Sequence, residues 1–305
     1  VGLGYSGLGV AGAYVGSYGI AAVLITYLVI RRFGPRRPMI TEEERSLFSF
    51  SIPLTFSNLS SLLYRNVDLV LVGIFWSSSQ VAVYNVAYPM ARLLLVGTGA
   101  FGFLFVPVIS SLHADEQMGD ASRVYQVTTK WLLIMVTPPF AIMALFPEMA
   151  IKMLFGAKYV DGSLTLLVLA TGFFLSNVTG LNGSVLTSIG QSKIIMITDT
   201  AAMILNLALN LLLIPEFGIL GAGITTSVTY LGRDFANGLI LYRLTGIHPF
   251  TASMLRPTLF TALSVLVVYV PVRLFVEVTL LRLVGLFALF VAIYTLSIVR
   301  LGGIE

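Results

Sequence analysis

What most constrains this chain is a series of apolar runs, each about twenty residues or longer, recurring along its whole length. A helix needs about 20 apolar residues to cross the hydrocarbon of a bilayer. The runs reach that length at residues 7–30, 50–76, 84–111, 128–146, 163–189, 194–214, 218–242, 257–275 and 281–299. Such a series excludes a soluble body on a single anchor, and it excludes the short alternating strands of a membrane barrel. Backbone in hydrocarbon must satisfy its own hydrogen bonds, so runs of this length fold as helices. The expected fold is all-α, a polytopic membrane helix bundle of about nine spans. Composition agrees, since 57% of residues are hydrophobic and only 10% charged, against about a quarter charged in soluble domains.

Charge then orients the bundle. The loops on one side collect eleven Lys and Arg, among them Arg31, Arg32, Arg36, Arg37, Arg243 and Arg300, whereas the other side has Lys152, Lys158, Arg273 and Arg282. The positive-inside rule places the richer side in the cytoplasm, with the C-terminus there too and the protein multi-pass in the cytoplasmic membrane. This asymmetry accounts for the net charge of +4, and no nucleic-acid partner is needed. There are no cysteines, which removes disulfides, thiolate metal sites and cysteine nucleophiles. The first residue is Val1, and neither a charged leader nor a cleavage site precedes the first apolar run. The expectation is a piece of a longer protein.

An internal echo points the same way. Gly4, Gly7 and Gly9 recur as Gly218, Gly221 and Gly223 at a constant offset of 214 residues, each trio opening an apolar run. If that is a repeat, two homologous halves are expected, with about five further spans upstream, as in repeat-built transporters. The proline-containing basic segment between the first two runs, RRFGPRRPMITEEERS, is the expected lobe boundary. Its Thr41 and Glu44 form a capping box, so a helix should start there and feed the second run.

A series of weak motifs in fixed order carries a family resemblance: PLTFSNLSSLLYRNVDLVLVG, VAVYNVAYPMARLLL, VPVISSL, LFGAKYVDGSLTLLVLA, LTSIGQSK and LNLALNLLLIPEFGILGAGITTS. The series resembles the second half of the polysaccharide-biosynthesis flippases in the multidrug, oligosaccharidyl-lipid and polysaccharide flippase superfamily. The resemblance covers roughly residues 31–249. It implies a MATE-like two-lobe transporter lacking most of its first lobe. Residues 1–32 would hold the last helix of that lobe, 33–49 a cytoplasmic linker, 50–244 the second six-helix lobe, and 245–305 a C-terminal two-helix unit. It also implies export of a lipid-linked oligosaccharide by alternating access, with a polyprenyl phosphate sugar as cargo, membrane lipid as partner, H+ or Na+ as coupling ion and no cofactor.

Charge inside the runs nominates the site. Each Arg or Asp at bilayer depth costs roughly 2.5–3.5 kcal/mol on insertion scales and usually faces protein or a wet cavity. Arg65 and Asp68 are three apart and share a helix face, either as a self-neutralising pair or as a phosphate clamp with its orienter or ion site. Arg92 is about eight residues into its run, roughly 12 Å along a helix, with no acid within a turn. It either snorkels to the interface or faces a cavity, where its fork suits phosphate. Arg233 and Asp234 are adjacent, point about 100° apart, and should each need a partner elsewhere. Asn206 and Asn210 share a face and read as interhelical hydrogen-bonding residues or cavity lining. Asp199, near a run end, reads as a solvated carboxylate.

Other readings remain open. A cation-coupled multidrug antiporter would want acids rather than arginines in its cavity; a peptidoglycan lipid-precursor flippase is a close variant of the first reading; a scaffold would pair every mid-span charge in a dry interior. A membrane glycosyltransferase would need an acidic or metal-binding cluster that Asp115, Glu116 and Asp120 do not supply, so no enzyme is expected. Gly7, Gly9 and Gly12 fit a dinucleotide pattern, but no strand precedes them. His113 and His248 stand alone, so no metal is expected.

Overall fold

The computed structural model describes residues 7–34, 42–250 and 285. The expected span at 257–275, with Arg273 and Glu277, and all of 281–299 except Gly285 lie outside the described residues. So does Thr41 of the capping box. Every element among the described residues is helical: α1 (Gly7–Phe33), α2 (Glu42–Phe75), α3 (Ser78–Arg92), α4 (Val96–Ala114), α5 (Met118–Leu145), α6 (Pro147–Phe155), α7 (Ser163–Val178), α8 (Asn182–Ser188), α9 (Ser192–Phe217) and α10 (Ile219–Thr245). Among the described residues, four stretches are long and apolar enough to cross a membrane: Ser78–Ala114, Met118–Leu145, Ala157–Val178 and Ser192–Phe217. The chain is a multi-pass membrane protein.

Two compact units divide between Phe48 and Ser49. In the first, α1 exposes Tyr18, Val23, Ile25 and Leu28, apolar on several faces as befits a helix solvated by hydrocarbon rather than water.

In the second unit, local chemistry sets where helices start, tighten and stop. Ser77 caps α3 by accepting the Gln80 N–H at 3.3 Å, satisfying one of the donors a helix start leaves open. Pro89, inside α3, has no N–H to give, and a few residues later the chain tightens into a 3-10 turn at Leu93–Leu95 before α4 resumes. Thus α3 and α4 make one rod with an irregular joint. Pro147 opens α6, at the position where a missing N–H costs nothing.

The expected continuous span at 163–189 is not continuous. It breaks at Thr179–Leu181 into α7 and α8, with Gly180 at φ +72°. A Cβ there would collide with the Thr129 side chain and approach Tyr125 Cε2 to 3.0 Å. Only glycine combines that left-handed backbone with that close approach.

The apolar core forms two clusters along the helix axes. One gathers Tyr84, Leu94, Ile151, Leu166 and Phe173; the other gathers Phe105, Tyr125, Leu132, Leu186 and Ile195. Each irregularity contributes to one cluster, Leu94 of the 3-10 turn to the first and Leu181 of the break to the second. Helices α7 and α10 approach closely because Gly172 leaves room for Ser227, whose Cα would lie 2.8 Å from any added Cβ. Small residues at such crossings allow the backbone contact that drives helix association in lipid.

Candidate functional site

A cavity of about 1070 Å³ opens beside the two joints, walled by α2, the α3–α4 rod, α7–α8, α9 and α10. Gly99 and Gly102 line it on α4, Gly180 and Gly183 at the α7–α8 break. Absent side chains keep this wall open, and the break puts non-helical backbone at its surface. Membrane proteins tolerate such backbone only in protein or along a cavity.

Asn177 ties the two joints together. Its amide donates to the carbonyl of Leu94 in the 3-10 turn at 3.2 Å and to that of Phe173 at 2.7 Å, while its oxygen accepts from the Thr98 hydroxyl at 2.6 Å. Across the break, Tyr125 donates to the Thr179 carbonyl at 2.6 Å, and Asn182 donates to the Asp234 carbonyl at 2.7 Å. The Thr179 carbonyl at the break thereby has a donor, which hydrocarbon could not supply.

Arg233, Asp234 and Asp199 all line this cavity, and their arrangement corrects two expectations. Arg233 and Asp234 do bond each other: Nε and Nη2 donate to Asp234 Oδ1 at 2.9 and 2.8 Å. The 100° divergence of adjacent residues governs where their Cβ atoms point, but the long arginine stem folds back over the neighbouring carboxylate. Asp199 is buried, not solvated, with Arg233 Nη1 3.7 Å from its Oδ1. Arg233 also donates to the Tyr64 hydroxyl at 2.7 Å and stacks 4.9 Å from the centre of the Tyr230 ring. Ser57 bonds Asp199 and Ser176 bonds Asp234. One cation is therefore shared by two carboxylates, and the cluster pins α2, α7, α9 and α10.

Asp68 is wholly buried, and it is not on the cavity wall. Its Oδ2 accepts from Tyr84 at 2.8 Å and Thr226 at 2.5 Å, and its Oδ1 from Asn210 at 2.6 Å. Asn210 in turn bonds the oxygen of Asn206 at 3.0 Å, so both asparagines belong to this node behind the cavity. Arg65 lies on α2, and its side chain is outside the described residues. Arg92, at the end of α3, is exposed, lines the cavity, and lies 5.7 Å over the Tyr88 ring. Among the described residues it makes no salt bridge. Of the nominated residues, the structure brings Arg92, Arg233 and Asp234 to the cavity and gathers Asp68, Asn206 and Asn210 into a separate node.

Sequence reasoning missed Ser57, Tyr64 and Tyr230. A signal existed: the buried stripe of α2 runs Pro53, Ser57, Ser60, Tyr64, Asp68, Val72 at helical spacing, and its middle four all carry polar groups. A polar inner face on an otherwise apolar helix needs polar partners, and Asp199, Thr200, Arg233, Asn210 and Thr226 supply them.

A family profile described as polysaccharide biosynthesis protein matches residues 2–164. Similar curated proteins include a probable low-salt glycan biosynthesis flippase, Agl15, of Haloferax volcanii, 25% identical over 61% of this chain and 39% of its own length. Another is a putative O-antigen transporter of Shigella flexneri, 25% identical over 60% of this chain and 44% of its own. A solved MOP superfamily transporter from Pyrococcus furiosus shares the fold, with TM-score 0.57 and 18% identity over 73% of this chain and 53% of that one. The chain thus spans about half the length of the proteins it matches or less.

Proposed function

The chain belongs to the polysaccharide biosynthesis protein family, and from that premise we propose that it is part of a flippase moving lipid-linked oligosaccharide or polysaccharide repeat units across the cytoplasmic membrane by alternating access. In this reading residues 50–244 form its second lobe, the cavity is one wall of the path, and the cargo is a polyprenyl phosphate sugar. The protein breaks no bond in this role and is a transporter, not an enzyme. The observation that carries the reading is Arg92, an exposed guanidinium on a polar cavity wall at an irregular joint. A phosphate headgroup entering the cavity meets a fork donor there. Arg233, already held by two carboxylates and Tyr64, organises the wall instead of clamping cargo.

Complementation tests this in the full-length protein. Arg92→Ala at normal membrane levels should abolish glycan export and Arg92→Lys should retain part of it; full export by Arg92→Ala would refute the assignment.

For the coupling ion, H+ or Na+, we assign Asp68. Its described contacts are all neutral donors, and beside it the Asn210 oxygen, Oδ1, is buried with no hydrogen-bond partner. Asp68→Asn should uncouple transport from the ion gradient. An antiporter cavity for cationic drugs would need acids open to cargo, whereas Asp199 and Asp234 are engaged by Arg233 and by serine hydroxyls. By the loop charges, the cavity faces the cytoplasmic half and the C-terminus is cytoplasmic.

A further inference from the structure

The short helix α6 joins two stretches long enough to cross a membrane, Met118–Leu145 and Ala157–Val178. At about 14 Å it cannot cross by itself, so it lies at the bilayer surface where those stretches turn back. Its start and stop are set locally: Pro147 opens it with Glu148 in the first turn, and Gly156 at φ +100° closes it. Residues four apart share a stripe of a helix. Ala150 and Ile151 are buried, and the same face continues one turn on as Leu154 and Phe155, which are 68% and 45% exposed. The apolar face thus runs past the edge of the protein beneath it. Beside that overhang stand two exposed lysines, Lys152 and Lys158. Neither makes a salt bridge among the described residues, and Lys158 rests 4.7 Å over the Tyr159 ring. The side of the membrane that the loop charges mark as poor in cations has Lys152, Lys158, Arg273 and Arg282, so half of its cations cluster at this one elbow.

From this overhang and its flanking charge we propose that the α6 elbow docks an anionic phospholipid, with Leu154 and Phe155 entering the acyl boundary and Lys152 and Lys158 meeting the headgroup phosphate. Three features commit the elbow to this occupant. An interfacial helix sinks its apolar residues about 5–10 Å into the boundary of headgroups and acyl chains, and the overhanging end of α6 is free to do so. Lysine stems run along apolar surface while their ammonium groups reach outward, which lets both cations stand at headgroup height above a sunken Phe155. Tyr159 supplies the amphipathic ring that favours the same level. A zwitterionic lipid would cover the overhang and leave two cations unanswered, whereas water would solvate the cations and leave the overhang exposed. Docking here is independent of what the large cavity carries, so its failure would leave the flippase reading untouched. The elbow follows α5, whose Tyr125 and Thr129 pack at the break in the cavity wall; a lipid bound there steadies that side of the wall.

The test uses the full-length protein in nanodiscs of mixed phosphatidylcholine and phosphatidylglycerol. Two probes, phosphatidylglycerol and phosphatidylcholine each bearing a diazirine near the headgroup end of an acyl chain, are irradiated at equal mole fraction in separate samples. Labelled residues are then mapped by mass spectrometry. The phosphatidylglycerol probe should label Leu154 and Phe155 about fivefold or more above the phosphatidylcholine probe, since each lysine near an anionic surface contributes about fivefold. Lys152→Gln with Lys158→Gln should erase that preference and leave phosphatidylcholine labelling unchanged. Leu154→Ser with Phe155→Ser should lower labelling by both probes. All four side chains are exposed, so these variants should melt like the parent. Lys152→Arg with Lys158→Arg keeps the charge and should keep the preference, which guards against misfolding of the glutamine variant. Equal labelling of the parent by the two probes, or a preference that survives the glutamine variant, would mean an unselective annular lipid and overturn the inference. No labelling by either probe would mean that water or another protein chain covers the elbow, and would overturn it as well.

Discussion

At the scale of single residues, the two cavity arginines differ in their partners, and the difference is measurable. Arg233 is partly buried, packed among Asp234, Asp199, Tyr64 and Tyr230. Removing it leaves two carboxylates facing each other without their cation. Breaking a buried pair this way costs about 3–5 kcal/mol, so Arg233→Ala should fail to accumulate or melt far below the parent in detergent. Replacing both aspartates with asparagine alongside it should recover much of that loss. Arg92 makes no salt bridge among the described residues and rests only over the Tyr88 ring, so Arg92→Ala should melt close to the parent and lose export. The sequence showed that these arginines lie at membrane depth, but hydropathy could not sort them. Sorting needed the partners, and Asp199 had been assigned to water because its position near a run end says nothing about which helix packs over it.

Helices and their joints come next in scale. Hydropathy placed several runs: α9 encloses the expected 194–214, and α10 covers all of 218–242 but its first residue, Gly218, which caps it. It was blind to the break at Thr179–Leu181, because those residues sit in an apolar run and a glycine there reads as ordinary membrane composition. The constraint that creates the break is three-dimensional: Thr129 and Tyr125 of α5 occupy the space a side chain at 180 would need. Gly180→Ala should therefore destabilise by more than the ~0.4–1 kcal/mol that the same swap adds to stability at a compatible glycine, read as a lower melting temperature. Thr129→Ala should not rescue it fully, since the positive φ remains. Asn177→Leu should loosen the coupling of the two joints. The expected result is faster amide exchange at both Leu93–Leu95 and residues 179–181, whereas faster exchange at one joint alone would contradict the tie.

At the scale of the whole molecule, the described helices of the second unit bear a cavity wall with many polar residues and a separate polar node in an apolar surround. The asymmetry between them suits a transporter. On the proposed reading the wall is the part reached by cargo, while the buried Asp68 node is the part that answers to the coupling ion. The family resemblance carried the helical transporter fold, the glycine-trio repeat stays an expectation, and the residues of the wall came from the coordinates. The central claim is that this wall lies on the path of a phosphate-headed lipid glycan. Its most direct test is translocation of a fluorescent polyprenyl-diphosphate-linked glycan in proteoliposomes containing the full-length protein. The account predicts that the parent moves the lipid between leaflets and that Arg92→Ala, folded and inserted equally well, does so no faster than protein-free vesicles. Equal translocation by parent and variant would contradict it.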